Sequence, residues 1–310
     1  MRNFTVDEKG CLLDYLFKVL ADTKKTRVRQ FLKFQAVSVN GAVTTRFDYV
    51  LQPGDKVCVR TAKDQAVDSF AAPPKYGIEI IYEDPALLVV DKPSGLLTIA
   101  TDRVATKTAF YALHEYLLEA NHRRLGKGGY GRNMPVRKKL VFIVHRIDKD
   151  ASGLLVFAKS EDVKHSLQSG WKNVKKKYFA VVAGIPKEKS GSVTSFLREN
   201  KALNVYTADR ADDAKLSTTR FRVLRSSAHY SLLEIELETG RKHQIRVHLA
   251  DLGHPIAGDE RYGCKTNPAG RLALHACELA LIHPVSGKRM VFHSAMPDSF
   301  DQILKKDKAV

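Results

Sequence analysis

His145-Arg146-Ile147-Asp148-Lys149-Asp150-Ala151-Ser152-Gly153-Leu154-Leu155-Val156-Phe157-Ala158-Lys159-Ser160 is the stretch around which the chain is organised. The apolar run Val141-Phe142-Ile143-Val144 leads into it and Leu154-Leu155-Val156-Phe157-Ala158 leads out. Both runs have strand length and both are bounded by turn chemistry. Between them Arg146, Asp148, Lys149, Asp150 and Ser152 are compressed into a few residues closed by Gly153. A carboxylate and a guanidinium forced together at strand ends is how a rigid scaffold presents an acid to a substrate. A lone Asp there would more simply cap a turn, so the weight rests on the whole stretch. The kinase catalytic loop His-Arg-Asp does not fit, because Ile147 separates Arg146 from Asp148 and no Asp-Phe-Gly follows.

Composition narrows the partners. The 310 residues suit one large domain with a small appendage, and 44% hydrophobic content is ordinary for a packed globule. A net charge of +17, from 51 basic and 34 acidic residues, favours a polyanion, nucleic acid before anionic membrane. Cys11, Cys58, Cys264 and Cys277 are scattered, with no Cys-x-x-Cys, and are expected to be reduced core thiols. No apolar run approaches a membrane span and the N-terminus lacks a hydrophobic signal core, so a soluble cytoplasmic protein is expected.

Residues 1–62 read as a small module. Leu12, Leu13, Leu16, Phe17 and Leu20 form a helical stripe, and Val28, Phe31 and Leu32 face inward from a second helix over 26–34. Lys24, Lys25, Arg27, Arg29 and Lys33 give that helix a basic face, which is either an RNA contact or a solvated surface. Val37-Ser38-Val39-Asn40-Gly41 alternates into an Asn-Gly hairpin, and Pro53-Gly54-Asp55 turns into Val57-Cys58-Val59. This order resembles the alpha-L RNA-binding motif of a small-subunit ribosomal protein and of many RNA-modifying enzymes. It departs from that motif at Leu12, where an Arg is usual, and at Gln35, where a Gly is usual.

Residues 63–75, ending Ala71-Ala72-Pro73-Pro74, read as a linker, and 76–310 as the main domain. Ile78–Tyr82 and Leu87–Asp91 are expected strands joined at Asp84-Pro85, and Asp91-Lys92-Pro93-Ser94-Gly95 asks for a fixed turn. A helix is expected over 105–120. From Asn121 to Leu140 the chain is basic and glycine-rich, with Arg123, Arg124, Lys127 and Arg132. Gly126, Gly128 and Gly131 satisfy Gly-x-Gly-x-x-Gly only formally, since no strand precedes them and Pro135 forbids the helix that must follow. Backbone contacts to RNA suit this loop better. A helix over 161–171, a strand through Tyr178-Phe179-Ala180-Val181-Val182, a charged excursion at 187–215 with strand character near Ser192–Phe196, and strands over 217–224 and 230–237 complete the middle.

The third constellation is Thr239-Gly240-Arg241-Lys242-His243-Gln244-Ile245-Arg246-Val247-His248-Leu249-Ala250. Thr239 is the expected cap of a helix with Ile245, Leu249 and Leu252 inward. His243 and His248 are five apart and diverge on a helix, where paired ligands prefer four, so no metal is expected.

Taken in order, these segments resemble the RluA-type pseudouridine synthases. His145–Leu155 is similar to the family motif His-Arg-Leu-Asp-x-x-Thr-Ser-Gly-Leu-Leu, with Ile147 for Leu and Ala151 for Thr. Asp91–Leu97, the Lys-x-Tyr-x-Ala context of Tyr178, Gly240–His248, Gly253–Gly263 and Leu274–Leu279 resemble further family segments. The resemblance implies an α+β fold on a mixed, largely antiparallel sheet. It implies Asp148 as the catalytic carboxylate, Arg246 as its partner, Tyr178 stacked on the uracil, and Arg146 in the space the flipped uridine vacates. It also implies a monomer without cofactor or metal that isomerises uridine in rRNA or, second, tRNA. Isomerisation oxidises and transfers nothing, and the carboxylate either attacks C1′ or takes a proton from C2′. An inactive RNA-binding or ribosome-assembly protein would share the basic surface but would not need Asp148, Tyr178 and Arg246 together. A nucleoside hydrolase would ordinarily need a second acid or a metal-bound water.

Overall fold

The computed structural model describes residues 2–23, 25–33, 37–44, 46–59, 74–102, 104–124, 140–211 and 213–307. At 26, 27, 30, 33, 43 and 122–124 it describes the backbone alone. The N-terminal residues form β1 (Arg2–Thr5), β2 (Gly10–Cys11), α1 (Leu12–Val19), α2 (Lys25–Lys33), β3 (Val37–Val39), β4 (Ala42–Val43), β5 (Val50–Leu51) and β6 (Lys56–Val59). Four of these strands make a sheet in the order β1-β6-β3-β4, and β2 pairs with β5. Asn40 and Gly41, at φ 50° and 83°, supply the two left-handed positions of the β3–β4 hairpin. Leu12, Leu16 and Leu20 of the first helix meet Val28 and Leu32 of the second over Val37, Val57 and Val59. The small module thus has its own core. Most of the expected linker lies outside the described residues.

The main domain contains β7 (Glu79–Glu83), β8 (Leu87–Lys92), α3 (Ala109–Arg124), β9 (Phe142–Ile143), β10 (Ser152–Ala158) and α4 (Glu161–Ser169). It continues with β11 (Lys175–Ala183), β12 (Ser190–Glu199), β13 (Val205–Ala208), β14 (Lys215–Ser226), β15 (Tyr230–Leu237) and α5 (Gln244–Asp251). It closes with β16 (Leu274–Ile282), β17 (Arg289–His293) and α6 (Asp298–Lys306). Eleven strands join in one sheet, ordered β13-β12-β14-β15-β11-β16-β10-β8-β7, with β17 on β16 and β9 on β10. The sheet is mixed but largely antiparallel, and β10 against β16 is its parallel pair.

The runs of consecutive apolar residues form strands covered on both faces. Leu155 and Phe157 of β10 enter the core beneath α3, α5 and α6, while Leu154, Val156 and Ala158 enter a second core against α4. β8 does the same, with Leu88 and Val90 on one side and Leu87 and Val89 on the other. β8, β10, β16 and β11 are therefore the rigid centre, and the Asp148 loop runs into the start of β10.

Four sequence expectations need correction. The helix expected over 105–120 starts at Ala109, because the Thr108 hydroxyl accepts the Tyr111 N–H at 3.1 Å, and it extends to Arg124. The run Val141–Val144 is strand only at Phe142–Ile143. Within the expected excursion over 187–215, the strand character near Ser192–Phe196 is the longer β12, and β13 follows it unforeseen; Leu197 and Val205 of these strands pack on Val247 of α5. Their other face is solvated, which accounts for the low apolar content. Thr239 does not cap a helix: α5 begins only at Gln244, preceded by His243 in the left-handed region at φ 53°, and Leu252 is exposed.

Gly153 shows why the motif ends in glycine. Its φ is +109°, and a Cβ there would lie 2.2 Å from the carbonyl oxygen of Ala276 on the parallel neighbour β16. Gly153→Ala should cost about 3 kcal/mol or more. Gly287→Ala, at φ +64° with nothing within 4 Å, should cost about 1–2 kcal/mol. Denaturant midpoints of the two variants check the contrast.

Candidate active site

The backbone around Asp148 is tied down from the turn after β8. Lys92 is buried at the end of that strand, and its Nζ donates to Pro93 O at 2.7 Å, Leu96 O at 2.8 Å, Lys149 O at 3.1 Å and Ala151 O at 2.7 Å. Ser94 Oγ donates to Asp150 O at 2.5 Å, Gly95 N to Lys149 O at 2.9 Å, and Thr98 Oγ1 to Ile147 O at 3.0 Å. The carbonyls on both sides of Asp148 are thus satisfied by one short segment. Burial, then the neighbouring Arg271, pushes the Lys92 amine down to about 7, against the pull of Asp150, Asp148 and Asp91. Four acceptors around one nitrogen call for the ammonium form, which has three hydrogens to share. Ala151, where the family motif has Thr, is buried in the main core.

A second brace lies under the start of β10. Ser152 Oγ accepts from Arg271 Nη2 at 2.7 Å and meets His275 Nδ1 at 2.8 Å, and His275 Nε2 meets Ser294 Oγ at 2.9 Å. Ser294 in turn donates to Asp91. His145, which opens the motif, is likewise structural. Its Nε2 accepts the Val156 N–H at 3.1 Å, and its ring centroid lies 4.5 Å from that of Trp171. Burial, with Lys176 adding to it, pushes the imidazole down to about 3, so it is neutral at physiological pH.

α5 supplies the charge that faces the loop. Gln244 at its first position takes the Arg241 N–H at 3.0 Å and the Thr239 hydroxyl at 2.8 Å on Oε1. Its Nε2 donates to Thr218 O and Thr219 Oγ1 at 3.0 and 2.9 Å. Two residues on, Arg246 points at Asp148, with Nη1 to Oδ2 at 3.3 Å. The guanidinium fork, however, goes elsewhere: Nε and Nη2 donate to the two oxygens of Asp259, each at 2.7 Å. The Asp259 side chain is 0% exposed, that of Arg246 10% and that of Asp148 20%. Burial opposes the Arg246 charge, but Asp259 and then Asp148 outweigh it and raise its pKa. The Tyr262 ring lies beneath the guanidinium, 4.9 Å from its carbon. His243 Nε2 stands 3.9 Å from Asp148 Oδ1, and its Nδ1 is 2.7 Å from the Tyr262 hydroxyl.

Tyr178 lies in β11 at a bulge, between Ile235 of β15 and Ala276 of β16, and is 9% exposed. Burial raises its hydroxyl pKa, and the Asp148 carboxylate raises it further. The structure therefore gathers Asp148, Arg246 and Tyr178, which lie far apart in sequence, and leaves Arg146 exposed on the same loop as Asp148. Among the basic residues expected to meet RNA, Lys25 and Arg29 are exposed and lie over the Phe17 ring at 5.6 and 5.4 Å. Lys24, Lys127 and Arg132 lie outside the described residues, and Arg27, Lys33, Arg123 and Arg124 are described by backbone alone. Asp259, Tyr262, Gln244, His243 and Lys92 received no role from sequence. The available signal was stoichiometric: a buried Arg with five N–H donors asks for more than one carboxylate.

The fold is shared with solved pseudouridylate synthases. Human RNA Pseudouridylate Synthase Domain Containing 4 superposes with a TM-score of 0.57 at 24% identity, over 74% of this chain and 92% of that one. The chain belongs to the RNA pseudouridylate synthase family, whose model matches residues 86–251, and is thereby an RNA pseudouridine synthase, an isomerase. Similar relatives include the uncharacterized RNA pseudouridine synthase YlyB of Bacillus subtilis (strain 168), 36% identical over 92% of this chain and 89% of the relative. The ribosomal large subunit pseudouridine synthase D of Nitrosomonas europaea is 33% identical over 96% of this chain and 84% of its own length.

Two measurements test this geometry. Asp259→Ala strands both donors of a buried fork and should cost about 3–5 kcal/mol, while Asp259→Asn, which keeps one acceptor, should cost less. Thermal and denaturant unfolding of both variants checks the order. His145 binds a proton near 6.5 when unfolded and only near 3 when folded. The unfolded state therefore binds more protons across that window, and stability should fall as pH drops from about 6.5 towards 3. His145→Gln should make the fall shallower in denaturant midpoints measured against pH.

Proposed function

We propose that this enzyme isomerises uridine in ribosomal RNA with Asp148 as the reacting carboxylate. The observation that carries the assignment is the Asp148–Arg246 contact of 3.3 Å, in which one oxygen of the acid is engaged on a loop whose backbone is fixed. The bond from uracil N1 to ribose C1′ breaks, the base turns, C5 bonds to C1′ and loses its proton, and N1 takes up one proton, directly or by exchange with solvent. Asp148 acts at the sugar, either on C1′ or on the C2′ proton, and returns unchanged, so atoms balance without a cofactor. Arg246 compensates the carboxylate charge. Tyr178, beside that charge, stacks on the uracil. Arg146, exposed two residues before Asp148, fills the space left by the extruded base, a task suited to a flat cation that both stacks and pairs.

Residues 1–62 would serve as an RNA-binding module of the alpha-L type, carrying Lys24, Lys25, Arg27, Arg29 and Lys33, and the basic stretch with Arg123, Arg124, Lys127 and Arg132 would track phosphates near the target. Support for a ribosomal substrate comes from the name of the Nitrosomonas relative and from the net charge of +17. A monomer in the cytoplasm fits this role. No helix among the described residues is long and apolar enough to cross a membrane.

Asp148→Asn keeps the shape and removes the charge. It should lower single-turnover isomerisation by about a thousandfold or more while RNA affinity stays within a few-fold. Residual activity near wild type in a preparation free of deamidation refutes the role of Asp148. Mapping pseudouridines in rRNA and tRNA from cells with and without the gene identifies the substrate, and loss confined to tRNA overturns the ribosomal assignment.

A further inference from the structure

His243 stands against Asp148 and has no part in the steps above. Its Nε2 lies 3.9 Å from Asp148 Oδ1, too far for a direct hydrogen bond and close enough for one oxygen, lying beside the pair at about 2.8 Å from each, to bond to both. The tautomer follows from the neighbours. The Tyr262 hydroxyl oxygen accepts the Val205 N–H at 3.3 Å and lies 2.7 Å from His243 Nδ1, which leaves its own hydrogen available to that nitrogen. The imidazole hydrogen then sits on Nε2 and faces the carboxylate. The opposite tautomer would set a lone pair against a negative charge. Burial pushes His243 down to about 4 and Arg246, Arg261 and Lys242 push the same way, against Asp148, so the ring is neutral at physiological pH.

An N–H donor and a carboxylate acceptor about one oxygen apart fit a hydroxyl, which accepts from the first and donates to the second. A carbonyl would meet the carboxylate lone pairs, and a cation would meet the N–H. Asp148 is proposed to act at C1′ or C2′ of the target ribose, and the hydroxyl nearest to both is the 2′-hydroxyl. We propose that His243 and Asp148 together hold the 2′-hydroxyl of the target nucleotide, which makes His243 a determinant of RNA over DNA at that position. The inference rests on the proposed role of Asp148.

The experiment compares two structured RNAs that differ only in a ribo or 2′-deoxy sugar at the target uridine, with wild-type protein, His243→Asn and Tyr262→Phe. Asn tolerates the left-handed backbone at this position and its amide can still meet Tyr262, but it does not reach Asp148. Single-turnover rates at saturating enzyme are read for each pair, or competition affinities if the deoxy RNA is inert with every protein. The expected result is that His243→Asn loses roughly tenfold on the ribo RNA and almost nothing on the deoxy RNA, collapsing the ratio. Tyr262→Phe, which frees the tautomer, should reduce the ratio in the same direction, and it stands in for His243→Asn if that variant does not fold. A parallel loss on both RNAs, leaving the ratio unchanged, means a purely structural role and overturns the inference. Wild-type protein that isomerises no uridine in rRNA or tRNA overturns the role proposed for Asp148 as well, which separates the two failures.

Discussion

Arg246 is a buried cation shared by two acids, and the site depends on the unequal division. A guanidinium taken out of water is tolerated only when its donors are met by counter-charge in good geometry. Asp259 meets that demand with two 2.7 Å bonds, and Asp148 receives a single bond of 3.3 Å. A symmetrical fork on Asp148 would have engaged both of its oxygens. With Asp259 satisfying the cation, Asp148 gains the neighbouring positive charge and keeps one oxygen open to a substrate.

That freedom requires the acid to be positioned by something other than its own hydrogen bonds. The backbone supplies it. Lys92, Ser94, Gly95 and Thr98 hold the carbonyls of Ile147, Lys149, Asp150 and Ala151, so the peptide planes on either side of Asp148 cannot tilt. Gly153 then enters β10 at a φ closed to other residues, tight against Ala276. Precision resides in the main chain, and the reacting side chain carries few constraints of its own.

How much of this was legible in sequence depended on the range of the interaction. Strands buried on both faces announce themselves as continuous apolar runs, and β8, β10 and β11 fall where those runs lie. Asn40-Gly41 was equally plain, because its chemistry is local. Asp148, Arg246 and Tyr178 were named through the resemblance of their surrounding motifs to a family. The partners of those residues were not. Asp259 lies thirteen positions beyond Arg246 and reaches it only through the tertiary fold, and nothing local distinguishes it from a turn aspartate. Thr239 misled for the opposite reason: it has the right side chain for a cap, but its hydroxyl is used to hold Gln244, and the chain needs a left-handed residue before the helix can begin.

The absence of an apolar stripe on α5 has the same origin. Gln244, Ile245, Arg246, Val247, His248 and Leu249 are all buried, so the helix is surrounded, and its polar members survive because each has a partner. His248 meets Ser195 of β12 at 3.0 Å and Thr219 of β14 at 2.9 Å, and Gln244 shares that same threonine. Val247 packs on Leu197 of β12 and Val205 of β13. The strands that sequence presented as a charged excursion are therefore what makes this helix possible, and through it they fix the position of Arg246. Polar residues on β12 and β14 that never approach the substrate hold the cation that faces Asp148, which is why a helix so poor in apolar pattern stands at the centre of the site.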